Sequence, residues 1–265
     1  MALQQYPAFL VLCSFLAFRA LSRILSRLPL PQHVARDAMR TWRWRNLSVS
    51  MVHSLLTGSW ALVCVFQTSE ILTDIADGYS GSAHLLICLT SGYFILDTAD
   101  IILSGQSKAS WEFLLHHILV APPFMYAAIT RHYLAGGVIS LFVEVNSVFL
   151  HTRLLLKLSN AQDSVFYRVN KYINLLTFIC FRLGAQLYLT NYMIRKIIKQ
   201  QQAKTFQVTY SSLVDSVILV SLCSVDIMIL IYLYRLVRAD FLPWSKDRLK
   251  RNTSSHHNSK KFLSD

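Results

Sequence analysis

Apolar residues gather into seven runs along this chain, at 8–28, 47–66, 83–103, 111–129, 134–156, 172–194 and 211–236. Each approaches the roughly 20 residues that an α-helix needs to cross a bilayer. Polar residues fill the stretches between them. The pattern predicts an all-α fold: a polytopic membrane helix bundle of about seven transmembrane helices, because helices satisfy their own backbone groups where no water is available.

Polar positions inside the runs carry more information than the runs themselves. His53, Asp97, Asp100, His116, His117, Glu144, His151, Arg153, Arg182, Asp215 and Asp226 all fall within predicted spans. Ionisable groups at that depth are costly, and they face the bundle interior or one another. Asn46, Ser50, His53 and Thr57 follow at spacings of four, three and four, which sets them on one helical stripe. Two readings of that stripe stay open: a hydrogen-bonded seam between helices, or the lining of a chamber.

Asp97 and Asp100 lie three apart on one face, and His116 follows Asp100 by sixteen residues across a short connection. The two helices are therefore expected to be antiparallel neighbours. Carboxylates that close repel unless a proton or cation intervenes, and an imidazole can supply one. Adjacent histidines on a helix diverge by about 100°, so His116 and His117 are expected to have different roles. Glu144, Ser147 and His151 share one stripe of the fifth span, with Asn146 and Arg153 beside it. Arg182 and Gln186 share a face of the sixth span, where Arg182 is expected to neutralise an acid.

Composition changes the picture in three ways. A hydrophobic fraction of 54%, a mean hydropathy of +0.40 and only 15% charged residues exclude an ordinary soluble domain. In the first run Arg19, Arg23 and Arg27 recur every four residues, where they can snorkel to the interface. No small-residue cleavage site follows that run, so it is expected to be a retained anchor. The five cysteines all lie in the spans and lack metal-type spacing, so neither disulfides nor a metal is expected, and no cofactor is implied.

The net charge of +12 flanks apolar segments without any nucleic-acid-binding pattern, so anionic lipid headgroups and not nucleic acid are the expected counterions. With the amino terminus outside, fifteen basic residues fall on the inner side and five on the outer, four of those five between Arg195 and Lys204. This asymmetry predicts a cytoplasmic carboxyl terminus. Three regions follow: a first helix and basic connection over 1–37, a membrane domain over 38–236, and a basic tail over 237–265. The tail from Trp244 lacks apolar period and is expected to be disordered, with an Asn252 sequon on the cytoplasmic side.

The residues also form a recognisable order. Trp42 to Leu47 with Ser50 and His53, then Gly92, Tyr93, Phe94, Asp97 and Asp100, then Trp111, His116 and His117, then Glu144 to Ser147 with Leu150 to Arg153, resemble the TLC domain. That family is named for the TRAM, Lag and CLN proteins. The resemblance implies six helices around a central cavity that opens to lipid, here preceded by one extra helix. Lag-type members are ceramide synthases, which transfer an acyl group from acyl-coenzyme A to a sphingoid amine around paired histidines.

Carried over, the resemblance places His116 and His117 at the reaction centre, and with Asp97 and Asp100 of the neighbouring helix they are the catalytic candidates. His53, Asn46, Glu144, Asn146, His151 and Arg182 are the substrate-binding candidates. The Lag motif continues with acids after its histidines, whereas here Ile118 to Pro123 follow and the acids come first. The subgroup that this chain resembles through 14–19 and 28–37 is associated with plasma-membrane phospholipid composition, limiting polyunsaturated acyl chains. The leading expectation is regulation of acyl-chain composition and fluidity at the plasma membrane, with membrane lipids and acyl-coenzyme A as partners. Three alternatives are a ceramide-synthase-like N-acyltransferase, a non-catalytic lipid-binding or channel-modulating protein, and residence in the endoplasmic reticulum.

Overall fold

The computed structural model describes residues 6–67, 74–202 and 210–242, and among them every regular element is helical. The tail from Trp244 with its Asn252 sequon, and the loop residues Glu70 and Lys204, lie outside the described residues. In order come α1 (Pro7–Ser26), the single turn α2 (Gln32–Ala35), α3 (Ala38–Gln67), α4 (Gly81–Leu103), α5 (Trp111–Thr130), α6 (Leu134–Ser140), α7 (Val143–Leu158), α8 (Val165–Thr177), a π-helical turn (Phe178–Leu183), α9 (Gly184–Gln202) and α10 (Tyr210–Asp240). Seven stretches among the described residues are long and apolar enough to cross a membrane. Two compact units divide the chain after Asp226. The second begins with the apolar run Ile227–Leu233 of α10 and leads into Arg235 and Arg238.

Helix lengths differ from the apolar runs for a simple reason. At 1.5 Å per residue the 30 residues of α3 extend about 45 Å, well beyond a hydrocarbon core of about 30 Å. Its first turns, carrying exposed Arg40 and Arg43, therefore project to the headgroup level.

Two predicted spans are not continuous α-helices. The fifth is interrupted between α6 and α7, where Phe142, Glu144 and Val145 donate to carbonyls three residues back, at 2.9–3.1 Å. That local tightening turns α7 relative to α6. In the sixth, the π turn from Phe178 to Leu183 widens the helix between α8 and α9. Glu144 sits at the first irregularity and Arg182 at the second.

α1 packs closely on α4. Gly92 makes this approach feasible, since a Cβ there would fall 2.5 Å from the Val11 carbonyl and 2.6 Å from the Ser14 Cβ. Ser14 donates to the Leu89 carbonyl at 2.5 Å across the same contact. Gly58 does the equivalent for α3 against α7, where a Cβ would lie 3.0 Å from the Val145 nitrogen. Leu86 and Ile87 of α4, Ala127 and Ala128 of α5, and Leu134 and Val138 of α6 are buried in the core.

α5 carries Pro122 and Pro123 in its interior without breaking. Each proline removes the hydrogen bond to the carbonyl four residues earlier, and in lipid such a carbonyl needs another donor. Ser221 of α10 supplies one, donating to the Leu119 carbonyl at 2.7 Å. Replacing Ser221 by alanine is expected to destabilise the protein by about 1 kcal/mol, read as a lower thermal unfolding midpoint in detergent; an unchanged midpoint would show that the carbonyl does not need this donor.

At the far end of α5, Arg131 and Tyr133 take left-handed backbone conformations at φ 64° and 60°, turning the chain into α6. There Asp215 of α10 accepts from Tyr133 and forms an ion pair of 2.9 Å with Lys196 of α9. Burial and the neighbouring Asp215 carboxylate raise the Tyr133 phenol above its ordinary value, so it remains a donor. Asp215 is thus neutralised by Lys196 and not by Arg182.

Candidate functional site

Asp97 and Asp100 begin on one face of α4 and then part company. Asp97 is buried and accepts from Asn46 Nδ2 at 2.5 Å. Its other oxygen lies 3.6 Å from His117 Nε2. Asp100 instead accepts from Trp42 Nε1 at 3.1 Å and lines a cavity between α1, α3 and α4. Each of the two thus has its own setting, Asp97 in the interior and Asp100 near the bundle end.

His117 is held on both sides. Its Nδ1 lies 3.0 Å from the Thr98 hydroxyl, and Thr98 stands next to Asp97 on α4. The Thr98 hydroxyl donates its one proton to the Phe94 carbonyl at 2.7 Å, so which of the two is the donor at Nδ1 depends on the tautomer of His117. The ring of His116 stands 5.9 Å from that of His117, and it is half-buried where His117 is 6% exposed. The divergence expected of helical neighbours is therefore present: one imidazole is tied to an acid, and the other is more open.

The stripe of α3 faces α4. Asn46 reaches Asp97, Ser50 accepts from the Tyr93 hydroxyl at 2.9 Å, and His53 stacks on the Tyr93 ring with centroids 3.8 Å apart. Phe18 of α1 closes over His53 edge-on at 5.7 Å. His53 is 1% exposed, and its Nε2 has no hydrogen-bond partner among the described residues. The extra first helix is therefore a wall of this region.

α7 contributes the opposite wall. Glu144 accepts from Ser54 of α3 at 2.6 Å. Arg182 donates from Nε to Asn146 Oδ1 at 2.8 Å and from an Nη to Ser147 at 2.7 Å. Asn146, fully buried, donates in turn to the Asn174 carbonyl, the Asn174 side chain and the Thr177 hydroxyl at 3.0–3.1 Å. The π turn directs Arg182 back toward α7 to make these bonds. The Nδ1 of His151 is buried with no hydrogen-bond partner among the described residues. Pairwise contacts thus link predicted polar residues of α3, α4, α5, α7 and the π turn, while Asp100 and Asp215 stand apart.

Comparison with known proteins agrees with this geometry. A TLC domain matches residues 43–238. The chain belongs to the TLC-domain family. Human TLC domain-containing protein 1 is 47% identical over 239 residues, 90% of this chain and 92% of the relative. Zebrafish (Danio rerio) TLC domain-containing protein 2 is 34% identical over 231 residues, covering 87% and 89%. The mouse TLC domain-containing protein 2 shares 38% over 170 residues, 64% of this chain and 54% of its own length.

In this TLC-domain protein several residues of the interior carry no sequence signal of their own. Thr98 and Ser54 are ordinary residues for a membrane helix, yet they contact His117 and Glu144. Thr98 adjoins an intramembrane acid, which was the available clue. Asn174 and Thr177, three apart on α8, form a polar face that the sixth apolar run, starting at 172, passes over.

Proposed function

We propose that this multi-pass TLC-domain protein adjusts the acyl-chain composition of phospholipids, and hence membrane fluidity, by binding and transferring acyl chains at the histidine pair. The observation that carries the reading is the buried contact of His117 with Asp97 and Thr98, beside a more open His116. In the bundle interior an acid beside one imidazole nitrogen orients the ring for proton transfer. In acyl transfer the acceptor's proton passes to an imidazole as the acceptor–carbonyl bond forms. The thioester carbon–sulfur bond then breaks, and the departing thiolate takes a proton from the imidazolium. Acyl-coenzyme A is the donor class that fits this step, and Arg182 with Asn146 and Ser147 is the cationic group on the opposite wall.

The TLC domain shared with the relatives, together with the seven apolar stretches, supports a membrane setting. The excess of basic residues on one side supports a cytoplasmic carboxyl terminus, and the plasma membrane is the proposed address.

Cells lacking the protein and complemented with His116→Ala/His117→Ala are expected to retain the phospholipid acyl profile of the null cells, while wild type shifts it; mass spectrometry of total phospholipids reads this. Full rescue by the double variant would end the catalytic reading. A second reading, in which the polar groups only join helices, is favoured by the stacking of His53 on Tyr93. It predicts that the double variant unfolds at lower temperature and that purified wild-type protein transfers no acyl group to any acceptor.

A further inference from the structure

A cavity of about 440 Å³ lies between α1, α3 and α4, at the end of the bundle where α1 stops at Ser26 and α3 begins at Ala38. This is the level marked by Arg36, Arg40 and Arg43, where headgroups meet hydrocarbon. Its wall carries both signs of charge: Arg19 and Arg45 on one side of the balance, Asp97 and Asp100 on the other, with Trp42 among them. Among the described residues neither arginine forms an ion pair with either carboxylate.

Two further details point to an occupant. Arg45 donates from an Nη to the Ser26 carbonyl at 3.2 Å, yet its Nε is buried and has no hydrogen-bond partner among the described residues. Asp100 accepts from the Trp42 indole, and a carboxylate has lone pairs for more than one donor. Oppositely charged groups that line one cavity without pairing suit a ligand that itself carries both charges. A simple anion would meet the two carboxylates, and a simple cation the two guanidiniums.

We infer that this cavity holds the headgroup of a zwitterionic phospholipid, with the phosphate on Arg19 and Arg45 and the ammonium against Asp100 and the Trp42 ring. Guanidinium groups bind phosphate through charge-assisted hydrogen bonds, and an indole face beside a carboxylate attracts an ammonium. The volume is that of an ordinary small-ligand site. Asp97 belongs both to this cavity and to the contact with His117, so a lipid seated here is brought to the proposed reaction centre. The inference deepens the lipid-handling reading above and rests on it for the ligand being a lipid.

The test uses the purified, delipidated full-length protein offered equal amounts of dioleoyl phosphatidylcholine, phosphatidylethanolamine, phosphatidylglycerol and phosphatidic acid, with retained lipid counted by native mass spectrometry. The zwitterionic pair is expected to be retained about ten-fold more than the anionic pair. Arg45→Gln is expected to lower retention of every phospholipid about ten-fold. Asp100→Asn is expected to abolish the preference for the zwitterionic pair. Ser22→Phe fills the cavity from α1 without altering charge, and is expected to expel lipid while leaving thermal unfolding in place.

Soluble glycerophosphocholine should compete, as a free headgroup must. Equal retention of the anionic lipids, displacement by inorganic phosphate alone, or unchanged retention in Arg45→Gln and Ser22→Phe would overturn the assignment. Retention by the purified wild-type protein is read separately from its effect on the acyl profile in cells. Lipid retention with an inactive acyl-profile assay therefore rejects the proposed function and leaves the headgroup site standing, and the reverse result does the opposite.

Discussion

Replacing Asn146 by leucine is expected to lower stability by about 2–4 kcal/mol, the sum of several interhelical hydrogen bonds to a buried polar and charged group. Asn146 has no exposed surface and joins four partners: it accepts from Arg182 Nε and donates to the Asn174 carbonyl, the Asn174 side chain and Thr177. Leucine preserves volume while removing both an acceptor for a guanidinium and a donor for three groups on two residues of α8. Ser147→Ala, which takes away a single acceptor of Arg182, should cost only about 1 kcal/mol. Thermal unfolding of the two variants in the same detergent gives the comparison. Equal midpoints for both would show that Asn146 is not the node that ties α7 to α8.

The second large effect is expected at Gly92. A valine there places a Cβ 2.5 Å from the Val11 carbonyl, 2.6 Å from Ser14 and 2.8 Å from the Phe15 nitrogen, two of them backbone atoms that cannot rotate away. α1 must therefore shift as a body, breaking the Ser14 bond to Leu89 and lifting Phe18 from His53 and Tyr93. Overpacking of this kind costs about 1–3 kcal/mol, and more where a helix is displaced. Hydrogen exchange of the amides of α1 should rise in Gly92→Val while α8 is unaffected. Gly184→Ala is a matched control, since a Cβ there meets only the Ile179 carbonyl at an ordinary 3.5 Å. Protection of α1 equal to wild type in Gly92→Val would mean that the close approach does not hold this helix.

Much of the fold was legible because membrane helices are written in length and polarity. All seven runs became stretches long and apolar enough to span, and Asn46, Ser50 and His53 of the predicted stripe meet α4. The site was legible in its residue types and less so in their pairing. Spacing put Asp97 and Asp100 on one face, but the face is wide enough for Asp97 to meet His117 while Asp100 meets Trp42.

Arg182 was expected to serve an acid; the acceptors it reaches across the π turn include Asn146 and Ser147, and Asp215 has Lys196. No apolar period announces a π turn, because the residues from Phe178 to Leu183, Arg182 apart, have the composition of any hydrophobic stretch. The tightened turn before Glu144 is equally silent in sequence, being set by how α6 and α7 must each pack. The role of α1 was hidden for a different reason: a glycine in a long apolar helix looks the same whether or not another backbone lies against it.

The π turn has a consequence for the helix that follows it. It holds one residue more than an α turn of similar rise, so it offsets the angular phase of α9 by about 100°. In a chain shortened by one residue between Phe178 and Leu183, Gln186 and Thr190 would rotate off the Leu222 carbonyl and the Asp226 carboxylate that they now meet. The two halves of this long span would then be unable to face α7 and α10 at once, which makes that single surplus residue a requirement of the bundle's closure.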